Sequence, residues 1–69
     1  MVEIFKTNVQ KKTQGKMLLR ILHEAFPSLK INFDLSDVDK VLRVEGENIT
    51  ASRIVILVKE HGFKCELLD

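Results

Sequence analysis

Apolar and polar residues change their period along this chain, and each change predicts an element boundary. Over positions 2–7, Val2, Ile4 and Lys6 alternate with Glu3, Phe5 and Thr7, which predicts a short strand with a more apolar face and a mixed one. The period then becomes helical. Met17, Leu18, Ile21, Leu22, Ala25 and Phe26 recur as an apolar stripe, with Lys16, Arg20, His23 and Glu24 between them, and Met17 is read as core. Pro27 lacks a backbone N–H and disfavours helical geometry in the residue before it, so this helix ends by Phe26. Asn8 and Thr13 are both credible caps for its start, and Gly15 lowers helix propensity between start and stripe.

Beyond the proline, Ile31, Phe33 and Leu35 alternate with Asn32 and Asp34, and Leu42 and Val44 alternate with Arg43 and Glu45. These segments, joined by a turn-rich stretch at 36–40, predict an antiparallel strand pair that stops at Gly46, Glu47 and Asn48. The run 53–58 is rich in β-branched residues and by propensity alone favours a strand. Its flanks decide for a helix: Thr50 can cap the start, Lys59, Glu60 and His61 occupy the last turn, and Gly62 follows. Ile54, Leu57, Val58 and His61 are expected on its inner face. Phe63, Cys65 and Leu67 then alternate with Lys64, Glu66 and Leu68, a closing strand.

The predicted order is strand, helix, strand, strand, helix, strand. This is the βαββαβ ferredoxin-like sandwich, an α+β fold with both helices on one face of a four-stranded antiparallel sheet. The other sheet face is left to solvent and is expected to carry Glu3, Phe5, Thr7, Val41, Arg43, Glu45, Lys64, Glu66 and Leu68. Val55 and Ile56 are expected to point away from the core. With Phe5, Val41 and Leu68 they are the apolar candidates for contact with another protein or a second copy, although singly exposed aliphatic side chains are common on any surface.

A length of 69 residues predicts one domain over 1–69 with a small core, and 45% hydrophobic with 30% charged residues excludes a disordered tail. The longest purely apolar run, 54–58, is five residues, too short to cross a membrane, and no signal-peptide pattern opens the chain. A single cysteine, Cys65, excludes an internal disulfide and fits a reducing compartment, here the cytoplasm. The net charge of +1 conceals an asymmetry. Residues 1–30 hold six Lys and Arg against two Glu, whereas 31–69 hold five against eight Asp and Glu, so the halves carry +4 and −3. Lys12, Lys16 and Arg20 fall at four-residue steps and form one basic stripe on the outer side of the first helix. Cations near a helix N-terminus oppose the macrodipole, so helix stability does not account for Lys11, Lys12 and Lys16.

The stretch INFDLSDVDKVLRVEGENITASRIVILVKEHGFKCELL resembles the heavy-metal-associated (HMA) domain of small copper chaperones and of metal-transporting ATPases. Val44, Glu45 and Gly46 end the strand pair as in that family, Ile54 heads the second helix, and His61, Gly62 and Phe63 match its small residue, glycine and aromatic. The family places a C-x-x-C thiolate pair on the loop leading into the first helix, because Cu(I) prefers sulfur and exposure at a helix N-terminus lowers thiol pKa values. Here the loop reads Thr7, Asn8, Val9, Gln10, Lys11, Lys12, Thr13, with no Cys, His or Met, so none of those ligands carries over. The resemblance also implies that Phe63 packs near the loop, and that basic residues on the first helix dock an acidic partner.

Other constellations are weaker. Cys65 and His61 are the remaining metal candidates, but they are two ligands on different elements, and a packing cysteine with a helix-terminal histidine explains them as well. His23 reads as a solvated rim residue. Asp34, Ser36, Asp37 and Asp39 lack the glycine and closing glutamate of a calcium loop, and turn chemistry explains them. The open sheet face has too few aromatics for nucleic acid, and no nucleophile and base pair or carboxylate dyad can be assembled for catalysis. The sequence therefore predicts a cytoplasmic, non-enzymatic protein-interaction module without cofactor, acting through a protein partner or self-association. Its alternative is a metal-handling protein with unconventional ligands.

Overall fold

In the computed structural model, which describes residues 1–68, six elements follow in order. They are β1 (Val2–Thr7), α1 (Lys12–Ala25), β2 (Lys30–Asp34), β3 (Val41–Glu45), α2 (Ala51–Glu60) and β4 (Cys65–Leu68). The strands form one antiparallel sheet in the order β2-β3-β1-β4, and helices from both halves bury the same sheet face. The core is Leu22 of α1 and Ile54 and Val58 of α2 against Phe5, Ile31, Leu42, Val44 and Cys65. This is the βαββαβ ferredoxin-like architecture expected from the sequence.

Strand register corrects one expectation. Phe5 lies directly opposite Leu42 on one side and Leu67 on the other, and directly paired residues share a face. Phe5 is therefore 0% exposed at the centre of the core and is unavailable as a contact residue. Thr7 is buried with it, while Ile4 and Lys6 belong to the open face with Arg43 and Glu66. One central aromatic buries about 150–250 Å². That outweighs Val2 and Ile4, of which Val2 sits exposed at the start of the strand. Val41, Glu45 and Leu68 occupy the open face as expected, each half-buried.

The α1 stripe is rotated by one residue from the expected one. Gly15, Leu18 and Leu22 are buried and Leu19 and Phe26 pack beside them, whereas Met17 is 42% exposed and outside the core. Gly15 faces Phe33 and Leu35, and a Cβ there would meet Leu35 at 3.5 Å and Phe33 at 3.6 Å, ordinary van der Waals contact. Neither Asn8 nor Thr13 caps the helix. Lys11 holds the N-cap position, and its N–H donates to Gln14 Oε1 at 3.2 Å. The helix ends at Ala25, before Pro27.

The β-branched run does form a helix. Thr50 stands at its N-cap, with its carbonyl accepting from the Arg53 N–H at 3.1 Å, and Gly62 at φ 88° turns the chain after it. Ile54 and Val58 face inward with Leu57 half-buried, and Ile56 points outward, while Val55 is half-buried against the core rather than free. His61 is exposed, not on the inner face.

These placements set an expectation for stability. Phe5→Ala should remove about 3–5 kcal/mol, enough to leave much of so small a domain unfolded, whereas Met17→Ala should change stability by no more than about 0.5 kcal/mol. Urea unfolding followed by circular dichroism would read both, and comparable losses would contradict the register.

Candidate functional site

The loop between β1 and α1 is closed by its own polar groups. The Thr7 N–H donates to the Asp39 carbonyl at 3.1 Å, its hydroxyl donates to the Lys40 carbonyl at 2.6 Å, and its Oγ1 accepts from the Val9 N–H at 3.2 Å. Val9 is fully buried, so the loop turns an aliphatic side chain inward. Asn8 faces the other way, and its Oδ1 accepts from the Lys64 N–H at 2.7 Å, tying the loop to the start of β4.

Cys65 lies opposite Thr7 in the β1–β4 register, on the core face and 4% exposed. Burial pushes its thiol up to about 11, and the nearby Lys59 ammonium offsets this only in part. The His61 ring turns back on its own helix, with Nδ1 2.9 Å from the Leu57 carbonyl oxygen. The structure thus places Cys65 inside and His61 outside. Among the described residues no group of three or more His, Cys, Asp or Glu side chains is arranged to hold a metal ion.

The basic stripe is an exposed surface. Lys12, Lys16 and Arg20 are all exposed on α1, and among the described residues none of them forms an ion pair. The first turn of α1 contains no acidic residue to offset them. Beside the stripe runs a shallow, mostly apolar groove of about 340 Å³, walled by Gly15, Leu19, Phe33 and Leu35 and edged by Lys12 and Lys16. Sequence reasoning missed this groove. Its one signal was Gly15, which leaves a helix position without a side chain beside Phe33 and Leu35.

The acidic turn is occupied with itself. Asp34 accepts from the Ser36 hydroxyl at 2.6 Å and the Ser36 N–H at 3.2 Å, and the hydroxyl bond foremost holds its carboxyl below the usual carboxylate value. Asp37 accepts from the Asp39 N–H at 2.8 Å, and the Lys40 ammonium donates to the Leu35 carbonyl at 3.0 Å. These are turn bonds, as the spacing suggested.

On the outer side of α2, Ile56 is 57% exposed and sits between Arg53 and Glu60 in a groove completed by Ala25, Phe26 and Leu57. The two charges were not singled out in the sequence, where the aliphatic run drew attention away from them. No helix among the described residues is long and apolar enough to cross a membrane.

Comparison with known proteins adds one finding. No protein-family profile matches the chain, and no curated protein matches it. A copper transporter domain from yeast, solved in solution in its apo and Cu(I)-loaded states, superposes with a TM-score of 0.75 at 21% identity, covering 99% of this chain and 94% of that one. At that identity the likeness establishes the fold, which is HMA-like.

The buried thiol gives a pH signature. Its folded pKa, about 11, lies above the unfolded value of 9.0, so its contribution to stability is complete below pH 9 and is lost as pH rises toward 11. The full loss amounts to roughly 2–3 kcal/mol. Denaturant titrations at pH 8 and pH 10.5 should show a larger drop for the native chain than for Cys65→Ala, the difference isolating the thiol from lysine titration. Equal drops would show that the thiol ionises freely in the folded state.

Proposed function

We propose that this chain is a small, non-enzymatic protein-interaction module on an HMA-like scaffold, docking an acidic protein surface through Lys12, Lys16 and Arg20 of α1. The observation that carries the reading is a set of three exposed cations on one face of α1, unpaired among the described residues, of which Lys12 stands in the first turn, where a cation is unfavourable. No ion pair among the described residues uses them, whereas an acidic partner would. The neighbouring groove of Leu19, Phe33 and Leu35 supplies apolar area for the same contact. Exposed charges of one sign raise the rate of encounter with an opposite surface and fix its orientation, and apolar contact then slows dissociation. A lone, reduced cysteine accords with the cytoplasm.

The likeness to a domain solved with Cu(I) supports a second reading, metal handling through unconventional ligands such as Cys65 and His61. A thiol held neutral in the core is a poor ligand, and the second reading stands behind the first for that reason. Titration of Cu(I) and Zn(II) into the reduced protein is expected to give only weak surface association. A tight site lost in Cys65→Ser would reverse the order of the two readings.

The docking reading makes stability and binding move in opposite directions. Lys12→Glu places an acid in the first turn and should raise stability by about 0.3–1 kcal/mol. Combined with Lys16→Glu and Arg20→Glu, it should abolish salt-sensitive capture of acidic proteins. A control with the same charge change at Lys30, Lys59 and Lys64 should retain that capture. Equal loss in both triple variants would reduce the effect to net charge and defeat the proposal.

A further inference from the structure

A second surface lies on α2. Arg53, Ile56, Leu57 and Glu60 follow the spacing i, i+3, i+4, i+7 and therefore form one stripe along the helix. With Ala25 and Phe26 from the end of α1 they wall a groove of about 310 Å³. The Arg53 guanidinium lies 5.5 Å from the Phe26 ring centroid. Stacking of this kind holds the group over the ring and leaves its N–H edges free to donate. Among the described residues neither Arg53 nor Glu60 forms an ion pair within the chain.

The order of these side chains is self-complementary. A base stands at one end of the stripe, an acid at the other and two aliphatics between them, and the midpoint of 53 and 60 is also the midpoint of 56 and 57. A two-fold axis through that midpoint, perpendicular to α2, lays the helix antiparallel on its copy. Each Arg53 then faces the other copy's Glu60, and each Ile56 meets the other's aliphatic pair. A parallel arrangement in the same register would oppose like charges instead, so the pattern selects one orientation.

We propose that this stripe is a self-association surface on which two copies of the chain pack α2 antiparallel against α2, with two symmetric Arg53–Glu60 pairs around a centre of Ile56 and Leu57. The proposal rests on the reading of the chain as an interaction module and names one partner, a second copy. It uses no residue of the basic stripe on α1. A helix of 10 residues is about 15 Å long, so the contact falls below the usual size of a stable interface and the dimer is weak and rapidly exchanging.

Charge reversal tests the register directly. Sedimentation equilibrium and amide chemical shifts, followed from tens of micromolar to about one millimolar at low salt, should show association with shifts concentrated at 25–26 and 53–60. Arg53→Glu and Glu60→Arg should each weaken it at least about tenfold, because each single reversal opposes like charges across the axis. An equal mixture of the two variants should recover association to within about threefold of the native chain, and the double variant should self-associate again. Ile56→Asp, on an exposed position, should abolish association with the fold intact by circular dichroism.

A native chain that stays monomeric throughout the range overturns the proposal. So does association that survives both single reversals, or a mixture no stronger than its components. The Lys12, Lys16 and Arg20 triple reversal should leave self-association unchanged, so loss of the dimer and loss of acidic-partner docking are read from separate variants. If that triple reversal dissolves the dimer, the contact runs through α1 and the α2 register is wrong.

Discussion

The way β1 passes into α1 depends on one buried hydroxyl, that of Thr7. The residue is 6% exposed, and both the donor and the acceptor capacity of the hydroxyl are met inside the chain. Its bond to the Lys40 carbonyl satisfies the backbone where the chain enters β3, at a residue with φ 47°. Leaving such a group unpaired costs about 1–3 kcal/mol, a large part of the stability of a domain this size. The same hydroxyl fixes Val9 inward, and Asn8 fastens the loop outward to Lys64. Helix α1 follows with Lys11 at its N-cap, and Lys12, Lys16 and Arg20 face solvent.

The two surfaces that follow from this frame differ in kind. On α1 the charge is of one sign, so it attracts something unlike itself. On α2 the charge is paired across a midpoint, so it matches itself. A net charge of +1 leaves little overall repulsion between copies, which lets local pattern rather than total charge decide association. Both surfaces border shallow apolar grooves where a helix meets its neighbour, β2 in one case and the end of α1 in the other. In a domain with so small a core, the side chains at those seams are too few to bury completely, and the remainder is what a partner can cover.

Much of this was legible in the sequence because local signals agreed with one another. The helix at 51–60 could be read against its β-branched composition because Thr50 and Gly62 bracket it, and backbone termination is a stronger local constraint than a propensity of a few tenths of a kcal/mol per residue. The face of β1 was not legible. Ile4 and Phe5 are both large and apolar, and only pairing with Leu42 and Leu67, both distant in sequence, decides which of them enters the core. The start of α1 was missed because its cap is made by Gln14 reaching back to a backbone N–H, and the lysine at the cap position carries no signal of its own. The stripe 53–60 escaped notice because periodicity analysis weighs apolar residues. The informative positions there are the charges at its two ends, whose meaning is fixed by symmetry rather than by hydrophobicity.

Scaffold and chemistry separate most clearly at the sulfur. A soft-metal site needs an ionised, accessible thiolate, and a sheet-facing position supplies neither. Cys65 is the residue opposite Thr7 on the core face, and its burial there keeps the proton on the thiol. The same backbone path that could present ligands in an HMA-like domain here presents cations one turn later, on the surface of α1. The proposed order of the contact and metal readings rests on this placement, with charge and apolar seam at the surface and the thiol buried.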